Sequence, residues 1–343
     1  MVKVYFATNR KPDATKPNGF GADIVAEDPA AISYAVADVE ATDIARGKVG
    51  HIAGISDLAQ GAFSPSVFTE ITAGKKNLLV FIHGFDNSFT DAILRAGYNA
   101  EWFRASGEAA ADTTVLAFTW PSLGLLFAQP KDITPDAYFA DQAMAGKSGF
   151  HLGHFFTEVA RIRTAWLANN PRGRVFLLAH SMGNWALQAA MSWWFQAHGP
   201  DADMFDEIIL AAADEVYTTF ETPDGSRLVH LRDIGKRINI YYSMNDAILA
   251  VSHLVNENQR LGQTGPENKF NTGTYPTDTY RMMDCTAVND FWPPLFSEET
   301  HQYYRLSRKV RTDIAAVMAN RAVPAGGIGA LSVAPSHNSR QIA

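Results

Sequence analysis

The chain has 343 residues, 47% of them hydrophobic, enough apolar material for one large α/β domain or two smaller ones. Its formal net charge of −7 leaves no basic excess of the kind that draws nucleic acid or an anionic membrane surface, so a small-molecule partner is expected. Cys285 is the only cysteine, which excludes an intrachain disulfide. No stretch approaches the roughly 20 apolar residues of a membrane span, and MVKVYFATNR lacks a signal-peptide apolar run, so the expected location is the cytoplasm.

In chain order, Val2–Thr8 and 48–55 read as strands at one sheet edge. Short runs rich in Val, Ile, Leu and Phe then recur at 77–83, 113–120, 174–180, 207–213, 237–243 and, more weakly, 279–285. Between them, Phe89, Ala92, Ile93, Ala96, Ala100 and Phe103 form one helical stripe, and Trp185, Ala186, Ala189, Ala190, Trp193 and Trp194 form another. Strand and helix alternate, which predicts an α/β fold with a mostly parallel central sheet flanked by helices. Segments 123–147 and 252–278 are longer than tight connections need and read as lid-like insertions. Residues 1–322 are expected to form a single domain. The Gly-, Pro- and Ala-rich tail 323–343 is expected to be extended. No internal repeat is present, and nothing in the sequence selects an oligomeric state.

The run VFLLAHSMGNWAL, 175–187, passes from apolar strand to helical spacing with Ser181 at the junction. A small residue, any, Ser, any, Gly is a weak pattern alone. The strand–turn–helix setting strengthens it, because a serine on a sharp turn crowds the backbone and needs small neighbours two positions away on each side, here Ala179 and Gly183. The helix that follows offers N-terminal amides to a developing negative charge.

With these residues in place the chain resembles the α/β-hydrolase superfamily. More narrowly, it is similar to a bacterial family of esterase/lipase-like α/β hydrolases of largely uncharacterised function, through FATNR, FIHGFDNSF, FTWPS, LLAHSMGN, YYSMND and HQYY, which run from Tyr5 to Tyr304. The resemblance implies the α/β-hydrolase fold with a nucleophile elbow at Ser181, and a chain order of serine, acid, histidine. It places the acid at Asp246, after the strand RINIYYSMN, with a plain cap for the helix starting at Ala247 as the lesser reading. Asp214, after EIILAAA, is the rival acid. His301, beyond the last strand and at the start of the final helix, is the candidate base. His253 also follows Asp246 but comes before the last strand.

The superfamily pattern further implies an oxyanion hole from the backbone N–H groups of Met182, after the nucleophile, and Phe85, in the HGF loop after the strand 77–82. That loop can also be read as a plain strand-to-helix connection with a Ser88-x-x-Asp91 capping box, and the two readings are compatible. His83 and His180 are expected to pack and hydrogen-bond. His151-x-x-His154 lacks a nearby carboxylate and reads as helix-face residues, so no metal is expected. Gly19-Phe20-Gly21 and Gly74-Lys75-Lys76 match neither a dinucleotide fingerprint nor a phosphate loop, and no cofactor is expected. Leu123, Leu125, Leu126 and Phe127 are candidates for a hydrophobic substrate pocket or for core beneath a lid. The expected activity is hydrolysis of a small-molecule carboxylic ester through an acyl-enzyme on Ser181. The alternatives are an acyltransferase, thioesterase or lactonase with the same triad, or a non-enzymatic binding protein on the same scaffold.

Overall fold

The structure is a computed structural model that describes the chain apart from residues 41, 75–76, 106–111, 123–134, 170–171, 200–203, 222–227, 292–296, 320–329, 333–338 and 343. It opens with β1 (Val2–Thr8), β2 (Arg10–Pro12), β3 (Phe20–Ile24), β4 (Ser33–Glu40) and β5 (His51–Leu58). Helices and strands then alternate through α1 (Gln60–Thr72), β6 (Asn77–Ile82), α2 (Phe89–Ala105), β7 (Thr113–Thr119), α3 (Pro135–Asn169), β8 (Arg174–His180), α4 (Gly183–His198) and β9 (Glu207–Ala211). The chain continues with α5 (Leu231–Ile234), β10 (Ile238–Tyr242), α6 (Ala247–Asn256), α7 (Leu261–Thr264), β11 (Tyr280–Asp284), α8 (Tyr303–Leu306), α9 (Arg308–Met318), β12 (Ala330–Ser332) and β13 (Ser339–Ile342). Among the described residues, no helix is long and apolar enough to cross a membrane.

An 11-stranded sheet runs in the order β12-β13-β11-β10-β9-β8-β6-β7-β1-β4-β5. From β1 to β13 neighbouring strands are parallel, and β4, β5 and β12 are antiparallel to their partners. The direction of winding reverses at β6, with β7 on one side and β8 on the other, so a crevice opens at the carboxyl ends of β6 and β8.

The unbroken apolar runs follow from burial on both faces of the sheet. In β6, Leu78, Val80 and Ile82 face a core shared with α1, α3 and α4, and Leu79 and Phe81 face a second core shared with α2, α8 and α9. β8 repeats the pattern with Val175, Leu177 and Ala179 against Phe176 and Leu178. The two helical stripes of the sequence lie on α2 and α4.

Sequence and structure differ in several places. The strand expected at 48–55 runs instead from His51 to Leu58, because the chain first turns through Gly47, at φ 66, and bridges Asp43 to Lys48. β4, with Ala35, Ala37 and Val39 buried on alternate positions, was not anticipated, nor were the short β2 and β3. Residues 135–147 of the first expected insertion are the opening turns of α3, while 123–134 lie outside the described residues. In the tail, β13 pairs in parallel with β11 and β12 pairs with β13.

Helix α3 lies on α4 through small residues. A Cβ at Gly149 would overlap Ala189 and approach Ala190 N to 2.8 Å, whereas one at Gly146 would meet Trp185 Nε1 at 3.5 Å, ordinary contact. Alanine in a helix interior is favoured over glycine by about 0.5–1 kcal/mol, but overpacking costs about 1–3 kcal/mol. Gly149→Ala should therefore lower the melting temperature and Gly146→Ala should raise it; thermal denaturation of both variants checks the contrast.

Candidate active site

Directly after β8 the backbone enters a region that non-glycine residues seldom occupy. Ser181 has φ 54, and its main chain is held on both sides. Ser181 N donates to Ala211 O at 3.1 Å, and its carbonyl accepts from Asn184 N at 3.0 Å and Asp214 N at 3.2 Å. The Asn184 side-chain amide donates to Ala179 O at 3.2 Å and to Ser181 O at 3.0 Å. The space around the turn is closed: a Cβ at Gly183 would lie 2.5 Å from His83 O, and one at Gly84 would lie 2.6 Å from Ser181 Cβ. Gly183 thus answers to the loop after β6, and Gly84 answers to Ser181.

That loop is aimed by hydrogen bonds. His83 Nε2 accepts from Trp120 N at 3.0 Å, so the ring proton sits on Nδ1, which donates to Gly84 O at 2.9 Å. Asn87 Nδ2 donates to Gly84 O at 3.0 Å and to Phe85 O at 2.7 Å. In a trans peptide the carbonyl and N–H point in opposite directions, so anchoring Gly84 O turns the Phe85 N–H away from these anchors. Among the described residues, neither the Phe85 nor the Met182 amide finds a hydrogen-bond acceptor. The capping box is present as well, with Ser88 N donating to Asp91 Oδ2 at 3.1 Å and Asp91 N to Ser88 Oγ at 3.2 Å.

Sequence reasoning assigned no role to Arg10, which the structure buries beneath this loop. Its guanidinium donates to Asn87 O at 2.8 Å, Gly21 O at 3.0 Å, Thr119 Oγ1 at 3.2 Å and Ser122 O at 3.4 Å. Ser122 Oγ in turn accepts from Asn87 N at 3.2 Å and donates to Asp141 Oδ2 at 2.5 Å. Burial draws the Arg10 guanidinium down to about 9, with Asp141 opposing the shift, so it stays charged at neutral pH. FATNR, FIHGFDNSF and FTWPS, far apart in the chain, converge here. A lone arginine in FATNR gives no local signal of that role.

Asp246 follows β10 and uses its two carboxylate oxygens separately. Oδ1 accepts from Leu249 N at 3.0 Å and caps α6, while Oδ2 lies 2.7 Å from His301 Nδ1. Helix cap and histidine partner are one group. His301 itself is not at the start of a final long helix: it sits in the 3₁₀ turn Glu298–Gln302, and Ser307 breaks the helical path by capping α9 through Val310 N at 3.1 Å. Next to His301, Thr300 Oγ1 accepts from Ala247 N at 3.1 Å, and His301 O lies 3.1 Å from His180 Nε2. The His301 ring is buried, and its Nε2 has no hydrogen-bond partner, Ser181 Oγ included, among the described residues. Phe85, Ser181 and His301 line one narrow crevice together with Arg95, His180 and Glu298.

The rival acid is committed elsewhere. Asp214 Oδ1 accepts from Arg260 Nε at 2.8 Å and Ser252 Oγ at 2.5 Å, and Oδ2 accepts from Tyr138 OH at 2.7 Å. His253 lies within α6 and makes no hydrogen bond to Ser181 or Asp246 among the described residues. The second expected insertion, 252–278, packs on the carboxyl ends of β9 and β10: Gly262 N donates to Ala213 O at 2.8 Å and Ser243 N to Gly262 O at 3.0 Å. Leu123, Leu125, Leu126 and Phe127 fall outside the described residues. His151 bridges Asn9 Nδ2, at 3.3 Å, and Ala26 O, at 2.9 Å, while His154 faces Gln60. Among the described residues there is no group of three or more His, Cys, Asp or Glu side chains that could hold a metal ion.

A family model described as an alpha/beta hydrolase of unknown function (DUF900) matches residues 61–316. No curated protein sequence matches the chain. Among solved structures, Pyrococcus horikoshii acylaminoacyl peptidase is similar at 10% sequence identity with a TM-score of 0.32; the match covers 84% of this chain and 47% of the peptidase, about half its length.

Burial holds His83 and His180 well below the ordinary histidine value of 6.5; positive charge adds to the effect, from Arg10 at His83 and from Arg95 at His180. Protonating His83 at Nε2 would also set two donors, the ring N–H and Trp120 N–H, against each other. A histidine with a depressed folded pKa contributes stability in full above its unfolded value, and that contribution falls as the pH drops below about 6.5 toward the folded value. The melting temperature should therefore decline between pH 7 and pH 5, and the decline should be shallower in His83→Gln. Thermal denaturation across that range compares the two slopes.

Proposed function

The chain belongs to a family of α/β hydrolases of unknown function and has the α/β-hydrolase fold, and from that premise we propose that it is a serine hydrolase cleaving a carboxylic ester through an acyl-enzyme on Ser181. The observation that carries this reading is the His301 Nδ1–Asp246 Oδ2 contact of 2.7 Å, which leaves a buried, unpartnered Nε2 lining the same crevice as Ser181.

In the proposed mechanism, His301 carries its proton on Nδ1, toward Asp246, so Nε2 has the lone pair a general base requires. It takes the Ser181 hydroxyl proton as Oγ attacks the ester carbonyl. The Phe85 and Met182 amides receive the charge that develops on the carbonyl oxygen, and both stand without another acceptor among the described residues. His301 then returns the proton to the departing alcohol, and a water activated by the same nitrogen releases the acid and restores Ser181. Asp246 orients the imidazole and stabilises its cationic form. No cofactor enters these steps.

Three variants test the assignment with 4-nitrophenyl esters and a fluorophosphonate label. Ser181→Ala should lose labelling and fall in turnover by roughly 10⁴–10⁶; ester hydrolysis at the parent's rate rejects the nucleophile. Asp246→Ala should lose roughly 10²–10⁴ in turnover, with about 1 kcal/mol of stability lost with the helix cap. Asp214→Ala strands Arg260 in the interior and should cost about 3–5 kcal/mol of stability while the folded fraction retains turnover. Finding the activity loss in Asp214→Ala and not in Asp246→Ala reverses the choice of acid.

A further inference from the structure

We propose that the substrate hydrolysed at Ser181 carries a carboxylate near its scissile ester and that Arg95 binds it; the proposal rests on the hydrolase reading above and names the substrate class of the same site. Arg95 lies on α2, partly buried, and lines the crevice with Ser181, His301 and Phe85. Among the described residues it donates no hydrogen bond and forms no ion pair. Its charge is felt across the site, opposing protonation of His180 and of Arg305.

The surroundings do not neutralise it. Arg305, the neighbouring cation, donates to Gln302 Oε1 at 2.9 Å and Gly47 O at 3.0 Å and lies over the Tyr98 ring, so it pairs with no carboxylate either. Glu298 lines the same crevice but is exposed, and it forms no ion pair with Arg95. In a chain with 36 acidic and 29 basic residues, a guanidinium lining this crevice that forms no ion pair among the described residues is an open binding position. One guanidinium with an acidic group at the rim suits a monoanion better than a phosphate dianion, which Glu298 would repel. The planar fork of the guanidinium matches two carboxylate oxygens.

The test compares the 4-nitrophenyl half-ester of adipic acid with the 4-nitrophenyl ester of adipamic acid, equal in length but neutral at the far end. The parent should favour the acid ester by about tenfold in kcat/KM, the scale of one charge-assisted hydrogen bond in excess of a neutral one, and added salt should erode the preference. Arg95→Gln should bring the ratio close to one, and Arg95→Lys should restore part of it. A parent ratio at or below one overturns the proposal, and so does an Arg95→Gln variant that loses activity on both esters alike, which would put Arg95 on the oxyanion instead. Fluorophosphonate labelling of Ser181 separates the two readings: labelling and amide-ester turnover without a charge preference sink this proposal alone. If labelling and turnover are both absent, the hydrolase reading fails, and calorimetric titration with monomethyl adipate decides the anion site. Binding that Arg95→Gln weakens about tenfold supports the site; no binding, or equal binding, overturns it.

Discussion

Everything around the crevice depends on one backbone angle. Ser181 at φ 54 can be held only if no side chain intrudes from either flank, which makes Gly183 and Gly84 steric necessities. A strained residue persists when its neighbours over-determine it, and here Ala211 O, Asp214 N and two donors from Asn184 do so. The strain lifts the Ser181 side chain out of the strand direction and into the crevice. The loop after β6 runs close beside it, with Gly84 against Ser181 and Phe85 lining the same crevice.

A second layer of buried polar groups keeps that loop in place. Arg10, Asn87, Ser122 and Asp141 form a chain of hydrogen bonds from the start of β2 to the first turns of α3. Polar groups removed from water are costly unless hydrogen-bonded, so such a network tolerates few alternative arrangements; its Asn87 Oδ1 finds no partner among the described residues. His83 adds a directional constraint, since its two ring nitrogens are satisfied only in the neutral form with the proton on Nδ1. The aim of the Phe85 N–H is thus set by groups that never touch the crevice.

The parallel strands were legible because burial on both faces writes an uninterrupted apolar run, as in LLVFI of β6 and VFLLA of β8. β4 was not, because two of its four buried residues are alanines and its C-terminal half alternates with Asp38 and Glu40, a weak signal for a strand. The start of α3 was obscured by its glycines and polar residues: Gly146, Gly149 and Gly153 look like loop formers, yet Gly149 and Gly153 serve close packing on α4, and Gly146 has room for a Cβ. Around the crevice, Ser181 and Asp246 stand just beyond β8 and β10, where the superfamily resemblance expects a nucleophile and an acid, whereas His301, seventeen residues past β11, was proposed from chain order alone. Arg10 and Arg95 could not be named from the sequence, since a lone arginine carries no local pattern, and its meaning comes from which atoms the fold brings within reach.

Asp214 and Asp246 illustrate how tertiary context separates two residues that look equivalent in sequence. Both follow adjacent parallel strands, β9 and β10, and both are buried. Asp214 faces a guanidinium and two hydroxyls, so its charge is already neutralised and its oxygens are occupied. Asp246 faces one backbone N–H and one imidazole, with no permanent cation among its hydrogen-bond partners. A carboxylate compensated by arginine has little field left for an imidazolium, whereas one held by a helix N-terminus keeps its charge while its geometry is fixed. On the proposed mechanism the cap is what makes the acid useful: it immobilises the carboxylate without neutralising it, and the catalytic proton on His301 remains the group that responds to its charge.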